Sequence, residues 1–143
     1  MRAERSLFFW LGIFMRDGVI SEEAVRIISK LDPGLEFSLL VDISRADFER
    51  TPGIKEFVGR FRQVLYLADY SDTGSPELFD LIKDKSGFPS EQCLVLDNRL
   101  KRTVASINHR LPAAVIIDNE HLEREFLLRR LSEGEYLMHR RPV

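Results

Sequence analysis

The stretch Leu7-Phe-Phe-Trp-Leu-Gly-Ile-Phe-Met-Arg-Asp-Gly-Val-Ile20 decides how this chain is read. Residues 7–15 are apolar but for Gly12, and Phe8, Phe9, Trp10, Ile13 and Phe14 favour extended backbone. A buried strand is therefore expected over 7–15, closed by a turn at Asp17-Gly18. The run is far shorter than the ~20 residues that span a bilayer. It does not read as a secretory leader either, because Arg16-Asp17-Gly18 follows it in place of a small-x-small cleavage pattern.

Working outward, Ser21 caps a first helix, with Glu22 and Glu23 where the helix dipole favours acid. Ile20 and Val25 have hydrophobic-staple spacing around that cap, and Asp32-Pro33-Gly34 stops the helix. A second helix is expected over 36–49, since Phe37, Leu40, Val41 and Phe48 fall on one stripe of period 3.6. Thr51-Pro52 opens a third, with Ile54, Phe57, Val58 and Phe61 as its apolar face. From there the rhythm is strand, loop, helix. Strands are expected at 64–68, 93–96 and 113–117, with helices capped at Ser75, running over 99–109, and starting at Asp118 to end near Leu131.

Continuous apolar strands separated by helices point to a parallel sheet buried on both faces. The expected fold is α/β, a three-layer, Rossmann-like parallel sheet of about four strands. Residues 1–143 form a single domain in this reading, and 20–50 a small helical insert after the first strand. Ligands in such sheets bind at the carboxyl ends of strands. The candidates are therefore Met15 to Asp17, Ala68-Asp69 with Asp72 beyond it, Asp97-Asn98 and Asp118-Asn119. Plainer roles exist for each: Asp17-Gly18 as a turn, and Asp97 or Asn98 as the N-cap of the next helix. Cys93, beside Leu94 and Val95, reads as inert strand core.

Composition removes several function classes. Apolar residues are 44 % and charged residues 31 % of 143, the balance of a folded chain. Lys and Arg number 21 against 23 Asp and Glu, so the net charge of −2 gives no pull towards nucleic acid or an anionic membrane, and neither partner is expected. A single cysteine excludes an internal disulfide and a multi-cysteine zinc site, and three scattered histidines exclude a His-rich metal centre. The lone thiol, with no long apolar stretch, leads to a cytoplasmic expectation.

In their order and spacing these segments resemble the haloacid dehalogenase (HAD) superfamily over most of the chain. Residues 13–20 look like its first-strand motif, hydrophobic-Asp-x-Asp-Gly-Thr/Val, and residues 51–61 like the Pro-Gly helix that leads to the second motif. Val64-Leu-Tyr-Leu-Ala-Asp69 resembles the second strand, and residues 87–98 the fourth motif. The resemblance implies nucleophilic attack by an aspartate on phosphorus, a second aspartate as acid and base, a hydroxyl and a Lys on the phosphoryl oxygens, and Mg²⁺ bridging the nucleophile and the fourth motif.

Carried over position by position, the nucleophile falls on Met15, whose thioether can neither form an acyl-phosphate nor serve hard Mg²⁺ well. Asp17 matches the acid/base position. The second-motif hydroxyl falls on Ala68, followed by Asp69 where Asn is frequent, and the acidic pair of the fourth motif is half retained as Asp97-Asn98. Only one helix separates Ala68 from Cys93, so a strand and its Lys-Pro look trimmed away. The resulting expectation is a degenerate HAD-like protein that works by binding a protein or a small ligand, without a cofactor. Its partner surface, for a second copy or another protein, is placed on residues 21–49, with Phe37 or Phe48 uncovered. The alternative is a Mg²⁺-dependent hydrolase on a reworked site, with Asp17 in catalysis, Asp97 on the metal and Asp72 nearby.

Overall fold

The first strand, β1 (Arg5–Trp10), is the centre of the molecule. The structure, a computed structural model, describes residues 5–29, 35–70 and 76–116. Alternation along β1 divides its bulk between two layers: Leu7 and Phe9 enter one apolar cluster, Phe8 and Trp10 the other. All four are essentially inaccessible, which is why the strand shows no polar alternation in sequence.

β1 ends at Trp10, and the apolar run does not. Leu11–Ile13 curl into a single 3-10 turn, closed by the Phe14 N–H donating to the Leu11 carbonyl at 2.9 Å. Leu11, Ile13 and Phe14 are buried by this curl, so their hydrophobicity reports burial and not extension. The strand expected over 7–15 is corrected to that extent. Met15–Arg16 (β2) and Val19–Ile20 (β3) then form a small antiparallel hairpin, whose turn residues Asp17 and Gly18 have φ of 53° and 80°. Positive φ at both central positions is what a tight hairpin turn needs, and Asp-Gly supplies it cheaply.

After the helix α1 (Glu22–Ile28) comes the main departure from expectation. Leu35–Val41 is a strand, β4, in parallel register with β1 from Arg5↔Leu35 to Trp10↔Leu40. The helical stripe read over 36–49 was a false period. Leu39 and Val41 face one layer and Leu40 the other, and a short run buried on both sides satisfies a helical pattern as easily as a strand. Only the far part of that range is helical, as α2 (Arg45–Glu49), with the Ser44 hydroxyl accepting from the Asp47 N–H at 3.1 Å. Residues 20–50 are thus not a helical insert: they carry a strand that is hydrogen-bonded to the central one.

A third helix, α3 (Ile54–Val58), leads to β5 (Gln63–Tyr66). Next come α4 (Pro76–Ser86), β6 (Cys93–Asp97), α5 (Leu100–Asn108) and β7 (Ala113–Val115). The main sheet is parallel and has five strands in the order β5-β4-β1-β6-β7, one more than expected. With β4 counted, β5 is the third strand of the main sheet, and no strand is missing between Ala68 and Cys93.

The sheet lies between two helical layers. Phe48 of α2 and Ile54 and Phe57 of α3 pack on one face, where Phe14 and Phe57 meet at 4.9 Å between ring centroids. Leu78, Phe79 and Ile82 of α4 pack on the other. From β1 the chain first builds outward through β4 and β5, then returns to build β6 and β7. Chain order therefore reverses at β1, and the carboxyl ends of β4, β1 and β6 flank the crevice where ligands bind in such sheets.

Candidate functional site

At that edge the strands present Asp42 after β4, Trp10 and Leu11 at the end of β1, and Asp97 as the last residue of β6. Arg102, one turn into α5, joins them. Its Nε donates to Asp97 Oδ2 at 2.6 Å, one terminal nitrogen donates to Asp97 Oδ1 at 2.8 Å, and the other donates to Asp42 Oδ2 at 3.0 Å. The Arg99 backbone N–H adds a bond to Asp97 Oδ1 at 3.1 Å. Asp97 is thus tied at both oxygens, and it caps no helix: the N-cap of α5 is Arg99, with no side-chain cap bond.

The cluster is deeply placed, with Asp97 at 0 % and Arg102 at 5 % exposure. Burial acts to lower the Arg102 pKa, but the bonds and charge of Asp97, then those of Asp42, outweigh it and raise it above its ordinary value. The guanidinium is permanently charged here. The Arg99 guanidinium approaches Asp42 Oδ2 at 3.9 Å, so two arginines face two aspartates and the local charge balances. Beneath them lies the ring of Trp10, with the Arg102 Cζ 3.5 Å from its centroid. That contact is a desolvated cation–π pair, the strong form of this interaction.

The sequence-derived candidates are dispersed. Met15 is half-buried in the hairpin and packs on the core, and Asp17 is exposed at the hairpin tip. Ala68 and Asp69 are exposed beyond β5, three sheet spacings or about 14 Å across from β6. Asn98 is exposed, with its amide against Gly12: a Cβ on Gly12 would lie 2.5 Å from Asn98 Oδ1. Only Asp97 sits at the centre of the crevice. Asp72, Asp118-Asn119 and the last expected helix lie outside the described residues. Sequence reasoning missed Asp42, Arg102 and the role of Trp10. Asp42 directly follows an apolar run, the signal of a strand-end carboxylate, and was hidden by reading that run as a helix.

No family model matches the sequence, and no curated protein matches it. Solved structures do match its shape. The NMR structure of the core domain of a protein assigned as a phosphoglycolate phosphatase from Streptococcus pneumoniae TIGR4 superimposes with a TM-score of 0.53 at 15 % identity, covering 83 % of each chain. L-2-haloacid dehalogenase from Xanthobacter autotrophicus, with chloropropionic acid covalently bound, gives 0.58 at 15 % identity over 83 % of this chain and 51 % of its own. The fold is that of the HAD superfamily.

Within the HAD frame the strand ends are renumbered. The first-motif nucleophile belongs just after the first strand, where this chain has Trp10-Leu11-Gly12 and no carboxylate; the assignment to Met15 and Asp17 is corrected. The second motif belongs at the end of β4, at Asp42-Ile43-Ser44, not at Ala68. The Mg²⁺ that such enzymes use finds a poor fit. It demands about six oxygens in near-octahedral order, whereas Asp97 and Asp42 are already bonded to arginine and the end of β1 offers an indole face. Among the described residues, no group of three or more His, Cys, Asp or Glu is arranged to hold a metal. Nor, among them, is any helix long and apolar enough to cross a membrane.

Proposed function

We propose that this chain is a catalytically degenerate HAD-like protein that acts by binding. One observation carries the reading: the crevice at the end of β1 holds Trp10 in place of a nucleophile, with the Arg102 guanidinium seated over it. An indole has no electron pair suited to attack on phosphorus, and the bonds to Asp97 leave it no role as a free base.

The binding surface favoured by the geometry is a concavity of about 620 Å³ between the β2–β3 hairpin, the start of α1 and α3. Its size lies in the range of small-molecule sites, roughly 300–1,000 Å³. Val19, Ile20, Val25 and Phe57 give it apolar walls, with Glu22, Glu56 and Arg60 also lining it. A small ligand with an apolar body and a polar end fits that lining. The broader partner surface expected over 21–49 loses its motive, because Phe48 is 1 % exposed and Phe37 packs against the core.

The deciding experiment is incubation of the purified protein with Mg²⁺ and a generic phosphomonoester. No turnover above a buffer control is expected. Turnover that disappears in Asp97→Asn or Asp17→Asn would overturn the binding reading and establish the hydrolase alternative.

A further inference from the structure

We infer that the Arg102 guanidinium is the resident cation of this sheet's carboxyl edge, taking the place of a divalent metal and keeping one out. The strands ending in Asp42 and Asp97 flank β1, so their backbones are two sheet spacings apart, about 9.6 Å. Two carboxylates gathered from that span need a positive charge between them. A guanidinium meets the requirement with a planar fork: Nε and one terminal nitrogen hold Asp97, and the other terminal nitrogen holds Asp42.

The floor of the site selects the same kind of cation. Trp10 offers a flat π-face at 3.5 Å, which suits a planar, weakly hydrated ion and gives nothing to a hard metal that needs oxygen ligands. Arginine also keeps its proton at any pH a protein tolerates, and a chelator cannot remove it. The cation has become part of the chain.

This inference is separable from the binding reading: phosphomonoester turnover without metal uptake would overturn that reading and leave this one standing. The test uses Mn²⁺ as a spectroscopic probe and methylguanidinium as a detached copy of the side chain. Wild-type protein is expected to show no bound Mn²⁺ signal by electron paramagnetic resonance, and the same thermal midpoint in EDTA as in excess Mg²⁺. Arg102→Ala is expected to gain several degrees in midpoint from millimolar methylguanidinium, relative to sodium chloride of equal ionic strength. Arg102→Ala/Asp97→Asn is expected to gain nothing. Should Arg102→Ala not fold unaided, it is refolded with and without methylguanidinium, and recovery of the buried Trp10 fluorescence is the readout. Asp97-dependent Mn²⁺ uptake by wild type overturns the inference, and so does an Arg102→Ala protein that methylguanidinium neither stabilises nor refolds.

Discussion

Cys93 opens β6 at 3 % exposure, with its thiol donating to the Pro89 carbonyl at 3.5 Å. Burial pushes the thiol up from its ordinary 9.0, and the opposing hydrogen bond with Ser86 does not cancel this. The sign of the stability effect follows. An unfolded chain ionises this thiol at about pH 8.5, while the folded chain keeps it protonated to higher pH. The contribution is whole below that pH and is lost as pH rises towards the folded value. Urea midpoints measured from neutral to alkaline pH should therefore fall more steeply for wild type than for Cys93→Ala. Parallel curves would show that the thiol does not contribute. Arg102 is the opposite case, a buried charge kept charged because its partners are supplied.

At the scale of elements, short pieces depend on local chemistry. α2 has five residues, too few to hold as a helix without help, and is anchored by the Ser44 cap and by burial of Phe48. Ser44→Ala should cost about 1 kcal/mol in urea denaturation. Gly18 has open space around it but φ of 80°, so Gly18→Ala should cost about 1–2 kcal/mol from backbone strain alone. A loss below a few tenths in either variant would remove the corresponding account. These turns and caps were legible in the sequence because their chemistry is local. The span of β1 and the whole of β4 were not. Leu11, Ile13 and Phe14 continue the apolar run while the backbone curls, and residues 37–41 are buried on both faces. The candidate site was lost with β4, since Asp42 lies 60 residues from Arg102 and nothing local links them.

At the scale of the molecule, β1 is the hinge between two halves built at different times along the chain: β4 and β5 on one side, β6 and β7 on the other. Arg102 ties those halves across the top of β1, through Asp42 on one side and Asp97 on the other. The only tryptophan of the chain, Trp10, lies directly beneath the tie and reports on both. Breaking a buried ion pair by removing one partner leaves an uncompensated charge, and costs about 3–5 kcal/mol. Arg102→Met should lose that much, whereas Arg102→Met/Asp97→Asn should lose less than the two single changes together, because no buried charge remains at Asp97. If the tie couples the halves, wild-type unfolding should give one urea midpoint by Trp10 fluorescence and by far-UV circular dichroism. Two separated midpoints in wild type, or strictly additive losses in the double variant, would show that the cluster is local decoration and that the sheet holds together without it.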